Sequence, residues 1–270
     1  MSELTEAQKT WAASPTGWTS AKGETPGTRE FFDKARHFRD TIEQPWLGDV
    51  VDFESARGKR VLEIGFGPGY DALKFMQAGA DYSGIDITTE NVDRTRKHLS
   101  YFNLSPDVRQ GDAEHLPYSD GSFDLVYSNG VLHHIPDLTA ALGEIRRVLK
   151  PDGRLSILMY HRNSVFYVGL VLSHFITGRF FRESLRDRRS RIEHTTADAK
   201  PIVNVYSRRE LRGLLTRAGF NVQHIAARKV TPDDFPGAGR FPAAVRLIPQ
   251  SSLDLLGQYA GWYLIATAVR

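Results

Sequence analysis

The chain has 270 residues, of which 41% are hydrophobic and 25% are charged, and its formal net charge is +3. These proportions are those of a globular protein with a full core, so they exclude the disordered and fibrous classes. Because the chain has no cysteine, disulfides, zinc–thiolate centres, iron–sulfur clusters and cysteine nucleophiles are also excluded.

The first 55 residues are predicted to form an arm and a helix. The start is acidic and polar and lacks the features of a signal peptide, which predicts a cytoplasmic protein. Residues 11–30 are rich in Pro, Gly, Ser and Thr, a composition typical of a loop or mobile arm. A helix is predicted from Thr28 to Thr41, followed by a contact of Trp46 and Leu47 with the core.

Short apolar strands alternate with amphipathic helices between residues 58 and 160. Strands are predicted at 59–64, 82–85, 107–109, 123–128 and 154–160, with a turn at 150–153, and helices at 70–78, 88–101 and 137–149. This alternation is typical of βαβ units and of a mostly parallel sheet.

The alternation stops after residue 160. Residues 164–192 are predicted to form a helical insertion, whose apolar part (165–176) is too short to cross a bilayer. Ser207 and Glu210 have the spacing of a capping box, which predicts a helix that ends at Gly219. Two final strands are predicted at 220–228 and 262–269.

Three glycines stand where the first strand becomes a helix. Gly65, Gly67 and Gly69 follow the acidic Glu63, and glycines at such a turn let backbone amides approach a ligand closely. The spacing is Gly-x-Gly-x-Gly, with Tyr70 in place of the later glycine of the dinucleotide pattern, which disfavours NAD. The alternative is a purely structural turn.

Acidic residues follow the second and third strands. Asp86 can accept hydrogen bonds from both hydroxyls of a ribose, although it could also cap the next helix. In the segment 111–114, the carboxylate of Asp112 can accept from an adenine amino group. Ser128 and Asn129, at the end of the fourth strand, lie beside the switch point of such a sheet, where ligands bind.

In this order, these segments resemble the class I S-adenosylmethionine-dependent methyltransferases, especially the small-molecule branch that includes ubiquinone and menaquinone biosynthesis enzymes. The segment 63–69 looks like their first motif, Asp86 like their ribose carboxylate, and Asp112 with Ala113 like their adenine site. The segments 116–124, 132–135 and 144–153 are similar to those that follow in the family. The close resemblance covers about residues 58–160.

The resemblance implies an α/β, Rossmann-like fold: a seven-stranded, mostly parallel sheet with helices on both faces and a final antiparallel hairpin. It implies an S-adenosylmethionine-binding core at 56–160, a pocket cover at 1–55, a helical insertion over the acceptor pocket at 161–205 and completion of the core by 206–270. S-adenosyl-L-homocysteine would be the product. The predicted cofactor-binding residues are Glu63, Gly65, Gly67, Gly69, Tyr70, Asp86, Ile87, Asp112, Ala113, Glu114, Asn129, Gly130 and His134.

Methyl transfer requires in-line alignment of nucleophile, methyl group and sulfur, and a base only where the acceptor loses a proton. His161, directly after the fifth strand, is the first candidate base, because imidazole titrates near neutral pH. It could instead bond a loop carbonyl. Tyr160 and His134 are further catalytic candidates, with His133 beside them. The predicted acceptor-binding residues are Trp11, Trp18, His161 and Tyr206.

The acceptor itself is predicted only as a class. No metal is expected, because Ser128–Asn129 and Tyr160–His161 stand where catechol enzymes would want carboxylates. Residues 151–270 hold 18 Lys and Arg against nine Asp and Glu, which could attract an anionic small-molecule acceptor or could simply be a solvated arginine-rich surface. A lipophilic acceptor would fit the apolar insertion. The methyl group could go to oxygen, nitrogen or carbon. Nucleic acid is not expected, and the protein would be a monomer or a homodimer. An RNA or protein methyltransferase and a non-catalytic cofactor-binding module are the alternatives.

The insertion has two interpretations. Its apolar part followed by arginines is typical of a helix on a membrane surface. The family resemblance favours a lid over the acceptor pocket.

Overall fold

The computed structural model describes residues 3–13, 20–193, 201–235 and 247–270. The strands are β1 (Arg60–Ile64), β2 (Asp81–Asp86), β3 (Asp107–Gln110), β4 (Phe123–Asn129), β5 (Leu149–Tyr160), β6 (Asn221–Arg228) and β7 (Tyr263–Val269). The α-helices are α1 (Glu3–Ala13), α2 (Arg29–Phe38), α3 (Leu47–Val50), α4 (Tyr70–Gln77), α5 (Thr89–Ser100), α6 (Leu138–Val148), α7 (Val165–Ile176), α8 (Leu185–Ser190), α9 (Arg208–Arg217) and α10 (Gln250–Ala260).

The strands form one seven-stranded sheet in the order β3-β2-β1-β4-β5-β7-β6. Strands β1 to β5 pair in parallel, whereas β7 runs antiparallel to both of its neighbours, β5 and β6. The predicted mostly parallel sheet with a final antiparallel hairpin is therefore confirmed.

Two apolar layers cover the two faces of the sheet. Neighbouring strand residues alternate between the layers, so that Val61 joins one layer and Leu62 the other. Helices α6 and α9 bury Leu142 and Leu211 in the layer of Leu62, while α4 and α5 contribute to the other. The helix starts follow the sequence: the side chains of Thr28, Thr88, Asp137 and Ser207 accept bonds from the first free amides of α2, α5, α6 and α9.

Three expectations need correction, and one helix was not predicted. Residues 11–13 belong to helix α1 and not to a loop. The predicted turn at 150–153 lies within β5, where Asp152 has a positive φ of 63°. The predicted helix after α7 is broken into short pieces around α8. Helix α10, with Leu253 buried, was not predicted.

The insertion leaves the sheet after β5 with helix α7, which packs its inner side on Trp262. Within the described parts of the chain, no helix combines the length and apolar character needed to cross a bilayer. The domain boundaries predicted above stay predictions.

Candidate functional site

One large cavity opens at the carboxyl ends of the parallel strands, where β1 lies between β2 and β4. It measures about 1350 Å³ including its open mouth. Its walls come from the β1–α4 loop, the ends of β2, β4 and β5, and the N-terminal segment. This is the switch point at which open α/β sheets bind ligands.

The glycine loop forms one wall of this cavity. Gly65, Gly67 and Gly69 all have positive φ (74°, 52° and 78°), a conformation that favours glycine. A Cβ at Gly65 would come within 2.3 Å of Val131, whereas a Cβ at Gly67 would meet no atom within 4 Å. Gly65 therefore permits close packing, and Gly67 keeps space open beside the cavity.

Asp86 is held rigidly at the end of β2. Its carboxylate accepts bonds from the Gly67 amide at 3.1 Å and from the Thr88 amide and hydroxyl at 3.0 and 2.9 Å. The Asn91 side-chain amide lies 3.2 Å from both carboxylate oxygens. Burial raises the pKa of Asp86, although these hydrogen bonds act in the opposite direction. The sequence predicted the position of Asp86 but not its polar surroundings.

The loop after β3 supplies part of the opposite wall. Asp112 and Ala113 line the cavity, and an oxygen of Asp112 accepts from the Glu114 amide at 2.9 Å. Glu114 itself is not among the lining residues. Its carboxylate accepts from the Asp137 amide at 3.0 Å, so the structure does not bring Glu114 to the cavity wall with Asp112 and Ala113.

A buried ion pair lies at the floor of the cavity. Two nitrogens of Arg39 each lie 2.6 Å from an oxygen of Asp71, and Tyr127 and Asn129 donate to the same carboxylate at 2.9 and 3.1 Å. Burial alone would raise the pKa of Asp71, but Arg39 lowers it to about 2. The sequence does not predict this pair, although Asp71 lies two residues after the last glycine of the loop.

Glu63 has the opposite electrostatic environment. Burial, with the negative charge of Asp71, raises the pKa of Glu63 to about 8. A hydrogen bond of 2.7 Å that Tyr82 donates to Glu63 acts in the opposite direction. The surroundings of Glu63 therefore favour the uncharged form of the carboxyl group that it presents to the cavity.

The far end of the cavity holds a His–Glu–aromatic cluster. The Nδ1 atom of His134 bonds the Ile202 carbonyl at 2.5 Å, which requires the proton on Nδ1 and leaves Nε2 free to accept. That Nε2 lies 3.6 Å from a Glu193 oxygen, and the Trp11 ring packs at 4.9 Å from the imidazole. Glu193 belongs to the insertion and was not predicted.

Two neighbours complete the cluster. Burial, with the negative charge of Glu193, raises the pKa of Tyr160 well above its usual range, so its phenol is a donor and not a base. His133 is fully buried against the Tyr160 ring, and neither of its nitrogens has a hydrogen-bond partner among the described residues. The nitrogen and oxygen ligand atoms of His133, His134 and Glu193 lie within 4.8 Å of one another.

Two predicted acceptor-site residues lie elsewhere. His161 is buried outside the cavity wall, and its Nδ1 bonds the Gly261 carbonyl at 2.9 Å. Burial also lowers its pKa. The structure thus does not bring His161 to the cavity, and its contacts are those of the loop-carbonyl alternative. Tyr206 lies in a separate shallow groove beside Arg209. Trp18 falls outside the described residues.

The cavity nevertheless brings most of the predicted residues together. The predicted residues that line it are Trp11, Glu63, Gly65, Gly67, Tyr70, Asp86, Ile87, Asp112, Ala113, Asn129, Gly130, His134 and Tyr160. Gly69 lies between the lining residues Pro68 and Tyr70. Ser128 is buried and donates to the Ile64 carbonyl at 3.0 Å.

Comparison with known families agrees with this geometry. Residues 62–157 match the family described as "Methyltransferase domain". This segment is a methyltransferase domain. The solved structures similar to the whole chain include geranyl diphosphate C-methyltransferase from Streptomyces coelicolor A3(2), in complex with Mg²⁺, geranyl diphosphate and S-adenosyl-L-homocysteine. That likeness has a TM-score of 0.61 at 15% identity, covers 100% of this chain and 99% of that one, and shows the fold.

Curated relatives match the methyltransferase domain and part of its surroundings. The "Uncharacterized methyltransferase YcgJ" of Bacillus subtilis (strain 168) is 35% identical over 144 residues, which are 51% of this chain and 55% of that one. The ubiquinone biosynthesis O-methyltransferase of Actinobacillus pleuropneumoniae serotype 7 (strain AP76) is 32% identical over 120 residues, or 43% and 51% of the two chains. The chain thus spans about half the length of these relatives.

Proposed function

We propose that this protein transfers the methyl group of S-adenosylmethionine to an oxygen or nitrogen atom of a neutral or cationic small molecule. One observation carries the proposal: a single cavity joins the glycine loop and Asp86 to the cluster of His134, Tyr160 and Glu193. A methyl donor held at the first end would have its acceptor at the second.

The residues present fit the nucleoside part of such a donor. The open space beside Gly67 would admit a ligand that a side chain would exclude. Asp86 would accept from ribose hydroxyls, which would have to replace the contacts of Asn91, the longest that Asp86 accepts. Asp112 and the apolar Ala113 would face the adenine. These roles are transferred from the family resemblance and the geometry together.

The charges of the lining favour an acceptor that is not an anion. Among the described lining residues, Arg39 is the only Lys or Arg, and Asp71 already neutralises it. The acceptor end instead holds Glu43 and Glu193 beside aromatic rings. The basic second half of the sequence suggested an anionic acceptor, but these carboxylates would repel one.

His134 is the residue that we assign as general base. When bound, the cofactor supplies an electrophilic methyl group on a positively charged sulfur. The Ile202 carbonyl orients the imidazole through Nδ1, so that Nε2 can take a proton from an acceptor hydroxyl or ammonium. Glu193, 3.6 Å away, would stabilise the resulting imidazolium. Tyr160, whose hydroxyl hydrogen-bonds Glu193, would hold that carboxylate beside the acceptor, and Trp11 would exclude water from the acceptor.

Calorimetric titration with S-adenosyl-L-homocysteine tests the cofactor end. Asp86→Ala should weaken binding by about tenfold or more, because it removes charge-assisted hydrogen bonds. Asp81→Ala is the matched control, since Asp81 lies at the exposed opposite end of the same strand. Absence of binding to the wild type would end the proposal.

The acceptor end is tested by measuring the release of S-adenosyl-L-homocysteine with each member of a panel of phenols, alcohols, amines and carboxylates. Turnover should occur with a neutral or cationic acceptor, and Glu193→Gln should lower it without changing affinity for S-adenosyl-L-homocysteine. Turnover with carboxylates alone would contradict the assigned class. Cofactor binding without turnover on any acceptor would favour a non-catalytic module. Activity that survives EDTA would agree with the prediction that no metal is needed.

A further inference from the structure

Helix α7 carries an apolar stripe on its outer side. None of its 12 residues is Asp, Glu, Lys or Arg. The inner side packs on Trp262, whereas Val168, Leu172, Phe175 and Ile176 are 46%, 48%, 54% and 81% exposed. Their spacing of four, three and one residues places them on one face of the helix. An exposed continuous apolar face of this kind marks an interaction surface.

Arginines follow this stripe directly. Residues 177–191 contain six Arg and two acidic residues. Phe181, which is 82% exposed, extends the apolar surface into this basic stretch. Arg179 and Arg182 flank Phe181 and are exposed as well. An apolar stripe beside a group of arginines is the composition of segments that lie in the headgroup region of a bilayer.

The same segment leads into the acceptor end of the cavity. Ile192 packs into one apolar layer of the sheet, and Glu193 lines the cavity next to His134. On the inner side of α7, Trp262 stacks on Tyr160 at 4.3 Å. Any partner that bound the outer face of α7 would therefore lie beside the acceptor end of the cavity.

We propose that the outer face of residues 165–191 docks on an anionic lipid bilayer. Charge complementarity selects this occupant. A second copy of the chain would bring the same arginine-rich stretch against itself, and like charges would repel. Anionic headgroups attract those arginines while the apolar stripe enters the interfacial region of the bilayer.

Co-sedimentation with vesicles tests the docking surface. The full chain should bind vesicles of phosphatidylcholine mixed with phosphatidylglycerol, and bind vesicles of phosphatidylcholine alone about tenfold less strongly. Leu172→Glu with Ile176→Glu, and separately Arg179→Glu with Arg182→Glu, should each lower binding to the anionic vesicles by about tenfold or more. Added salt should weaken the wild type's binding.

Helix α10 provides the matched control. Leu255 and Tyr259 are 58% and 69% exposed and one turn apart, so Leu255→Glu with Tyr259→Glu changes an apolar pair of similar exposure. This variant should bind vesicles like the wild type. Equal loss in both variants, or no vesicle binding by the wild type, would overturn the proposal. So would a dimer in light scattering that Leu172→Glu with Ile176→Glu dissociates.

The variants should keep their fold, because the substituted side chains face outward. Thermal unfolding and titration with S-adenosyl-L-homocysteine should match the wild type within error. Docking and cofactor binding are thus measured separately, and either can fail while the other holds.

Discussion

Replacing Arg39 by Met would remove the cation that hydrogen-bonds the buried Asp71 carboxylate, leaving Lys74 as its nearest cation at 3.8 Å. Both side chains are almost fully buried, and their two hydrogen bonds join the N-terminal segment to helix α4. Removing one partner of a buried ion pair costs about 3–5 kcal/mol. Because Tyr127 and Asn129 continue to donate to Asp71, we expect a loss near the lower limit, about 3 kcal/mol in the free energy of unfolding, measured by urea denaturation.

A double-mutant cycle separates the pair from its surroundings. Arg39→Met combined with Asp71→Asn should be about 2 kcal/mol more stable than the sum of the single losses, because no unpaired charge stays buried. Arg57→Met is the control: Arg57 and Glu54 are exposed and 3.6 Å apart, so the loss should be below about 1 kcal/mol. If Arg39→Met proved as stable as the Arg57 variant, the assigned burial of the pair would be wrong.

Three further substitutions test single residues. The folded-state pKa of Glu63 is about 8 against an ordinary 4.5, so its carboxyl group makes stability fall as pH rises through that window. The free energy of unfolding of Glu63→Gln, relative to that of the wild type, should therefore rise between pH 5 and pH 8. The expected rise is on the order of 2–3 kcal/mol, measured by urea denaturation. Gly67→Ala should weaken the binding of S-adenosyl-L-homocysteine about tenfold in calorimetry. Gly121→Ala is the control, because Gly121 also has a positive φ and open space around it, and its binding should not change. His161→Ala should cost about 1–3 kcal/mol of stability yet leave turnover unchanged, whereas His134→Ala should lower turnover. An equal loss of turnover in both variants would return His161 to the mechanism.

The parallel half of the fold and the cofactor end of the site could be predicted because their determinants are local. Gly65 and Gly67 follow a strand directly, and Asp86 ends the next one, so position along the chain fixes position in space. Capping residues such as Thr88 and Ser207 likewise mark helix starts within a few residues.

The acceptor end depends on contacts between distant segments. Trp11, His134 and Glu193 are far apart in sequence, and their meeting follows from the packing of α1 and the insertion. The contacts of His161 could not be predicted for the same reason. It follows β5 as expected, but its ring bonds the Gly261 carbonyl, which is 100 residues away in the sequence. Nothing local in the sequence distinguishes these two histidines.

The position of β7 has a consequence for the order of folding. This strand pairs with β5 on one side and β6 on the other, through registers such as Leu155 to Ala268 and Val222 to Ala268. Strand β6 therefore has no partner in the sheet until residues 263–269 have been synthesised. During translation, β1 to β5 can assemble first, while β5 stays an open edge that is prone to pairing with other chains. Because Tyr263 also lines the cavity, a nascent chain cannot complete its binding site before its last strand arrives.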